Sequence, residues 1–295
     1  MTTVVLYMTV VLIWGSSWIL VRYQIGVVPA EVSVAYRIGI AAGIMFGWAL
    51  LRKLPLRFYL RDHLFMMLQG ALIFSTNFFL FYLAASHLTT GLIAVICSTA
   101  SAMTILLNAL LYRRKPSLPI FLGATLGIAG IGVIFHPEFG KFSFHSGTGL
   151  GLLLSLAGTF CFSLGSIVSS RNRQANLPVS GNMAWAMLYG VIILILLALL
   201  REKQFIFDFS LPYISSLAYL AIVSSVIAFA AYFALLTHIS TEQAAYTTVL
   251  FPVVALTLST FFEGYQWTTS TLIGATLTIA GNLLVLQQTH NKKAR

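Results

Sequence analysis

Leu122–Gly130 reads LGATLGIAG, and Ile273–Gly281 reads IGATLTIAG, 151 residues further on. A duplication at about half the chain length means that the two halves share one architecture. The match is wider than this element. His87-Leu88-Thr89-Thr90 answers His238-Ile239-Ser240-Thr241 at the same offset, while Arg22 answers Arg171 and Pro29 answers Pro178 at an offset of 149. One small insertion or deletion between the early and late parts accounts for the shift.

The duplicated chain is very apolar. Of its 295 residues 59% are hydrophobic and only 8% charged, which is too little charge to cover a water-soluble domain, so the long apolar runs read as membrane spans. Breaks at charge, Pro and Gly leave ten candidates, at 3–23, 31–51, 64–86, 90–112, 117–135, 148–170, 179–200, 212–237, 242–262 and 268–288. The connections are short, and no soluble domain fits between them. No Lys or Arg precedes the first run, which is too long for a signal core and reads as a permanent span. The expected fold is an all-α membrane protein: ten transmembrane helices in one membrane domain, with one five-helix repeat at 1–140 and a second at 141–295. Five is odd, so the second repeat is inverted relative to the first, the arrangement through which carriers alternate access.

Charge sets the orientation. Twelve of the seventeen Lys and Arg residues fall in the even-numbered connections and at the C-terminus, and four on the opposite side. By the positive-inside rule both termini are expected in the cytoplasm. The pI of 9.8 then reports orientation and contact with lipid headgroups, and no basic domain outside the spans is present to hold nucleic acid. Cys97 and Cys161 lie inside apolar runs and read as packing residues. No metal-ligand set, cofactor motif or catalytic constellation is legible, which argues against an enzyme.

Several motifs resemble the drug/metabolite transporter superfamily, in particular its EamA type with two five-span units. They are Trp14-Gly15-Ser16-Ser17 leading to Arg22, Pro29 followed by Ala35-Tyr36-Arg37, the Gly123–Gly130 and Gly274–Gly281 segments, and Glu263-Gly264 before the last span. The resemblance covers nearly the whole chain. It implies metabolite transport in a bacterial inner membrane, often export of amino acids or related solutes. Members often carry Gly-Glu after the fourth span as well; this chain has Tyr112-Arg113-Arg114-Lys115 there.

The candidate site follows from polar and aromatic residues at span depth. In the fourth span Thr90, Ala94, Cys97, Ser101, Thr104 and Asn108 share one helical face. The ninth span answers with Thr241, Ala245, Thr248, Pro252, Ala255 and Ser259, and the sixth has a similar line from Ser155 to Ser170 that includes Ser163. Such faces either pack helices or wall a cavity. Pro252 frees a carbonyl near mid-span. Trp14, Ser17, Trp18, Asn77, Phe78, Phe81, Tyr82, Phe160, Phe229, Tyr232 and Tyr246 mark similar depths and fit a pocket with apolar walls and few polar handles. Arg37 lies about 12 Å into its helix at ~1.5 Å per residue. There it either pairs structurally, with carbonyls or Glu31, or binds a substrate carboxylate.

Neither Asp nor Glu occupies mid-membrane, which weakens both a cation exporter and a carboxylate-based proton antiporter. His87 and His238 leave proton coupling open, although interfacial hydrogen bonding suits their place at helix ends. The expected function is a secondary transporter for a small neutral, zwitterionic or anionic metabolite, working in the bilayer on a small-molecule solute. The alternatives are a multidrug or cationic-compound exporter of the same fold, and a non-transporting membrane subunit or enzyme.

Overall fold

The computed structural model describes residues 2–111, 118–139, 147–235, 238 and 247–293. Regular structure among them is entirely helical. We number ten rods: α1 Thr2–Val21, α2 Ala30–Leu51, α3 Leu60–Ala84, α4 Thr90–Leu111, α5 Leu118–Phe139, α6 Gly147–Gln174, α7 Val179–Leu200, α8 (Leu211–Ala218, Tyr219–Ile227 and Ala228–Leu235 in sequence), α9 Thr247–Glu263 and α10 Thr269–Lys293. Seven are long and apolar enough to cross a bilayer, and α5, α9 and α10 contribute shorter apolar stretches. Helices are the natural outcome, because hydrocarbon offers the backbone no partners and a helix satisfies its own groups.

Several boundaries differ from the sequence reading by four or five residues: α3 begins at Leu60 rather than 64, α5 runs to Phe139 rather than 135 and α10 to Lys293 rather than 288. The sixth span, expected to end at 170, continues to Gln174 and takes Arg171 and Arg173 into its last turn. Cations suit a helix C-terminus, and Arg171 pairs there with Asp62 at 3.1 Å. The ninth span, expected from 242, is helical from Thr247; residues 239–246 lie outside the described residues.

The duplication is visible in backbone detail. α2 and α7 both follow a proline, Pro29 and Pro178. Both end on a residue with positive φ, Lys53 at 51° and Glu202 at 53°, 149 residues apart. In each case the next amide reaches back to close the helix, Leu54 to Ala49 and Lys203 to Ala198, the geometry of a Schellman cap. α3 and α8 both contain a π-helical stretch, Gly70–Asn77 and Tyr219–Ile227. The packing follows the same exchange: α1 lies on α8 and α9 as α6 lies on α3 and α4, while α2 meets α7 and α5 meets α10.

The opening repeat element explains the last pair. Its two copies face each other. A Cβ at Gly281 would strike the Gly123 carbonyl, one at Gly274 the Gly130 carbonyl, and one at Gly130 the Thr278 side chain. Backbones approach this closely only where side chains are absent. Buried polar residues pin the two ends. At one end Gln24 donates to the Tyr213 carbonyl (2.9 Å) and Ser216 Oγ (2.7 Å), and Ser33 Oγ donates to Gln24 Oε1. At the other, Asn172 and Asn182 both donate to Gln69 Oε1, at 2.9 and 3.1 Å.

Gly274→Leu is therefore expected to force α5 and α10 apart, a cost of about 1–3 kcal/mol from overpacking, if not more. Thermal unfolding of the purified protein in detergent measures it; an unchanged midpoint would show that this contact is not close-packed.

Candidate solute-binding site

α1, α3, α4, α6, α8 and α9 surround a central cavity of about 150 Å3, which Arg37 of α2 also reaches. Its walls are aromatic: Trp14 and Trp18 from α1, Phe78 and Phe81 from α3, Phe162 from α6, Phe229 from α8 and Phe251 from α9. The rings brace one another. Trp14 lies 5.4 Å from Phe229 and 5.4 Å from Tyr232, and Trp18 lies 5.2 Å from Phe81 and 6.2 Å from Phe251.

The polar handles are few and unevenly satisfied. Asn77, at the end of the π-helical stretch of α3, donates to the Gly158 carbonyl at 2.9 Å. α6 comes close enough for this bond because Gly158 has no side chain; a Cβ there would lie 2.9 Å from the Phe81 ring. Arg37 is only 4% exposed. Its Nε donates a long 3.4 Å bond to Ser225 Oγ, and its guanidinium lies 4.2 Å from the Phe78 ring centre. The expected alternative partner, Glu31, pairs instead with Arg201 at 3.2 Å. Beside Arg37 is the Tyr82 hydroxyl, buried in the cavity wall with the guanidinium as its polar neighbour and no well-formed hydrogen bond. A guanidinium has five donors in a fixed fork, so most of Arg37's hydrogen-bonding capacity faces a cavity whose lining, among the described residues, contains no carboxylate.

Of the residues singled out from sequence, Trp14, Ser17, Arg37, Asn77, Phe78, Phe81, Phe229 and Thr248 line this cavity. Tyr232 stands behind Trp14. Ser163 is buried behind the lining, donating to the Ala100 and Thr159 carbonyls. Ser101 bonds only weakly to its own helix, at 3.4 Å from the Ser98 carbonyl. Pro252 is buried inside α9, where its neighbour Phe251 takes the cavity position. Tyr246 lies outside the described residues. The hydroxyls of α6 (Ser155, Thr159, Ser166) bond back to their own helix, which fits the packing reading of that stripe. Cys97, read as packing, lines the cavity as well.

Trp18 and Tyr82, grouped with the pocket aromatics from sequence, line the cavity too, whereas Phe160 of the same group is 43% exposed and is not part of the lining; Ser224 and Phe251 line it without having been singled out. Helical spacing held part of the signal for Phe251, which follows Thr248 by three residues and so shares a face with a chosen residue. Ser224 carried no such signal.

The last turn of α9 is tied to the start of α4. Glu263 accepts from the Thr90 amide at 3.0 and 3.2 Å, from Thr90 Oγ1 at 3.0 Å and from Ser259 Oγ. A carboxylate thus caps the N-terminus of α4, whose own N-cap residue, Thr89, makes no side-chain cap bond, and the helix dipole favours that charge. Gly264, at φ 67°, turns the chain away immediately afterwards. Arg22 donates to the Phe262 carbonyl at 2.6 Å, fastening α1 to the same turn.

This is the build of a membrane transporter: ten helices in two repeats around a central cavity with few polar handles. The chain belongs to the EamA-like transporter family, whose profile matches residues 1–136 and 149–287. Among curated proteins it is 24% identical to Protein PagO of Salmonella typhimurium (96% of this chain, 92% of that one). It is 29% identical to the uncharacterized inner membrane transporter YedA of Escherichia coli K12 (86% and 80%). It is 25% identical to a probable amino-acid metabolite efflux pump of Salmonella typhimurium (94% and 92%). A solved crystal structure 17% identical to it superposes with a TM-score of 0.68 over 98% of each chain, a likeness of fold alone.

Glu263→Ala is expected to cost about 1.5–3 kcal/mol, the worth of hydrogen bonds to a charged group. Thermal unfolding should register it, and Glu263→Gln should restore part of the loss by keeping one acceptor. Equal stability of all three proteins would show that the carboxylate does not hold α4.

Proposed function

We propose that this chain is a secondary carrier that exports a small neutral, zwitterionic or anionic metabolite, foremost an amino acid or a close relative, by alternating access between its two five-helix repeats. One observation carries the reading: a buried arginine and its neighbouring tyrosine hydroxyl share an aromatic cavity whose lining, among the described residues, has no acidic group. A solute carboxylate satisfies both donors at once, and the aromatic walls receive the rest of the molecule. The relatives named as probable amino-acid metabolite efflux pumps support the same class. A cationic drug fits poorly, since Arg37 repels it and no Asp or Glu among the described residues lines the cavity to attract it. The distribution of Lys and Arg supports an orientation with both termini in the cytoplasm, and the break between halves near 140 supports two exchangeable units.

The test is export measured by comparing metabolites in the medium of overexpressing and deleted cells, followed by flux of the identified solute in proteoliposomes. Arg37→Ala is expected to lower flux about tenfold to a hundredfold, the equivalent of a lost charged hydrogen bond, with Tyr82→Phe less affected. Arg37→Lys keeps the charge without the fork and should fall between. Wild-type flux in folded Arg37→Ala and Tyr82→Phe would remove this site. Resistance to lipophilic cations without any metabolite efflux would replace the proposed solute class with the multidrug one.

A further inference from the structure

A second hollow, of about 430 Å3, lies between α2, α7 and α8. Met45 and Trp48 come from α2, Met183 from α7, and Ile227, Phe229 and Ala230 from α8. Trp48 is 50% exposed and Ile227 46%, so the hollow is an open groove. A groove this apolar at bilayer depth meets hydrocarbon rather than water.

The repeat supplies an internal comparison. At the equivalent place in the other half, Glu31 and Leu194 are buried, standing where the groove has Ser180 and Met45. Phe79 stands where the groove has Ala230. Arg201 lies 5.4 Å from the Phe79 ring centre and pairs with Glu31 at 3.2 Å. Its repeat mate is Arg52, 149 residues earlier, which lies 4.8 Å from the ring centre of Trp48 at the groove. Arg52 has no ion pair among the described residues. The first-half site thus holds its own anion and its own apolar filler. The groove keeps the arginine but lacks both, with a serine for the carboxylate and an alanine for the phenylalanine.

We propose that an anionic phospholipid supplies the missing pieces: its phosphate pairs with Arg52 and one acyl chain occupies the groove. The chain lies against Phe229, which also lines the central cavity, and near Ser225, which accepts the Arg37 bond. The bound lipid therefore backs one wall of the solute site. Its position also agrees with the bilayer face that carries most of the Lys and Arg residues.

Native mass spectrometry of the protein released from nanodiscs of mixed phosphatidylglycerol and phosphatidylcholine tests this. Wild type should retain phosphatidylglycerol in preference. Arg52→Gln should weaken that preference about fivefold, the equivalent of one interfacial cation. Ser180→Glu and Ala230→Phe copy the two fillers of the other half, so each should expel the lipid from an intact fold, checked by an unfolding midpoint no lower than wild type. Equal retention of both lipids by wild type would overturn the proposal. So would unchanged phosphatidylglycerol binding in folded Ser180→Glu and Ala230→Phe. Because the assay reads lipid and not flux, it stands whether or not the solute assignment does.

Discussion

In hydrocarbon a polar group has no water to fall back on, so each must find its partner inside the protein. Most features of this structure follow from how that obligation is met. Stretches of apolar sequence meet it by becoming helices. Polar side chains that cannot avoid the interior are gathered: Gln24 with Ser33, Tyr213 and Ser216, and Gln69 with Asn172 and Asn182. Each cluster ties the junction between the first two helices of one repeat to the third helix of the other. The third helices, α3 and α8, are also the two that contain π-helical stretches. Such stretches redirect side chains and unsettle the regular bond ladder, and they often occur at functional sites. Asn77 and Ser224, both of which line the cavity, sit in them.

Against this background the few unmet donors stand out. Arg37 is as buried as Asn77 or Gln24, yet one long bond and an aromatic face are its main protein contacts. Glu31, on the same helix, is equally buried but has Arg201. Two ionisable groups on one helix are thus treated differently, one neutralised within the protein and one left facing a cavity. The second arrangement is unfavourable for an empty protein and makes sense if a solute completes it.

Much of this was legible in the sequence, and the reasons differ by feature. Span number and repeat offset were plain, because apolar run length and duplicated residues are properties of the chain itself. Asn77, Arg37 and the aromatics were legible as costly or bulky groups at depth. Which of them share the cavity was not, since that depends on how helices rotate against each other. Ser163 illustrates the point: it lies on the right span but turns its hydroxyl to the Ala100 carbonyl. The repeated element was plain in the sequence, but that its two copies would pack on each other through their glycines was not. That contact requires antiparallel helices at the repeat interface, and inversion of the second half provides them.

The two halves share a backbone plan but not the same side chains, and the differences are chemically coherent. The turn after α9 offers Glu263 to the N-terminus of α4, whereas the corresponding sequence after α4 is Tyr112-Arg113-Arg114, with no carboxylate. Glu31 holds Arg201, whereas Ser180 leaves Arg52 without an anion. Both asymmetries add carboxylate contacts at the same end of the bundle. A perfectly symmetric inverted repeat would have equal energy with either end closed. Under the proposed alternating access, unequal carboxylate contacts at the two ends, Glu263 and Glu31 at one and Asp62 with Arg171 at the other, break that balance by a few kcal/mol at most, little enough for a solute with unequal affinity for the two arrangements to reverse it. On that proposal, divergence between the halves sets the resting bias, while their common architecture keeps the opposite arrangement within reach.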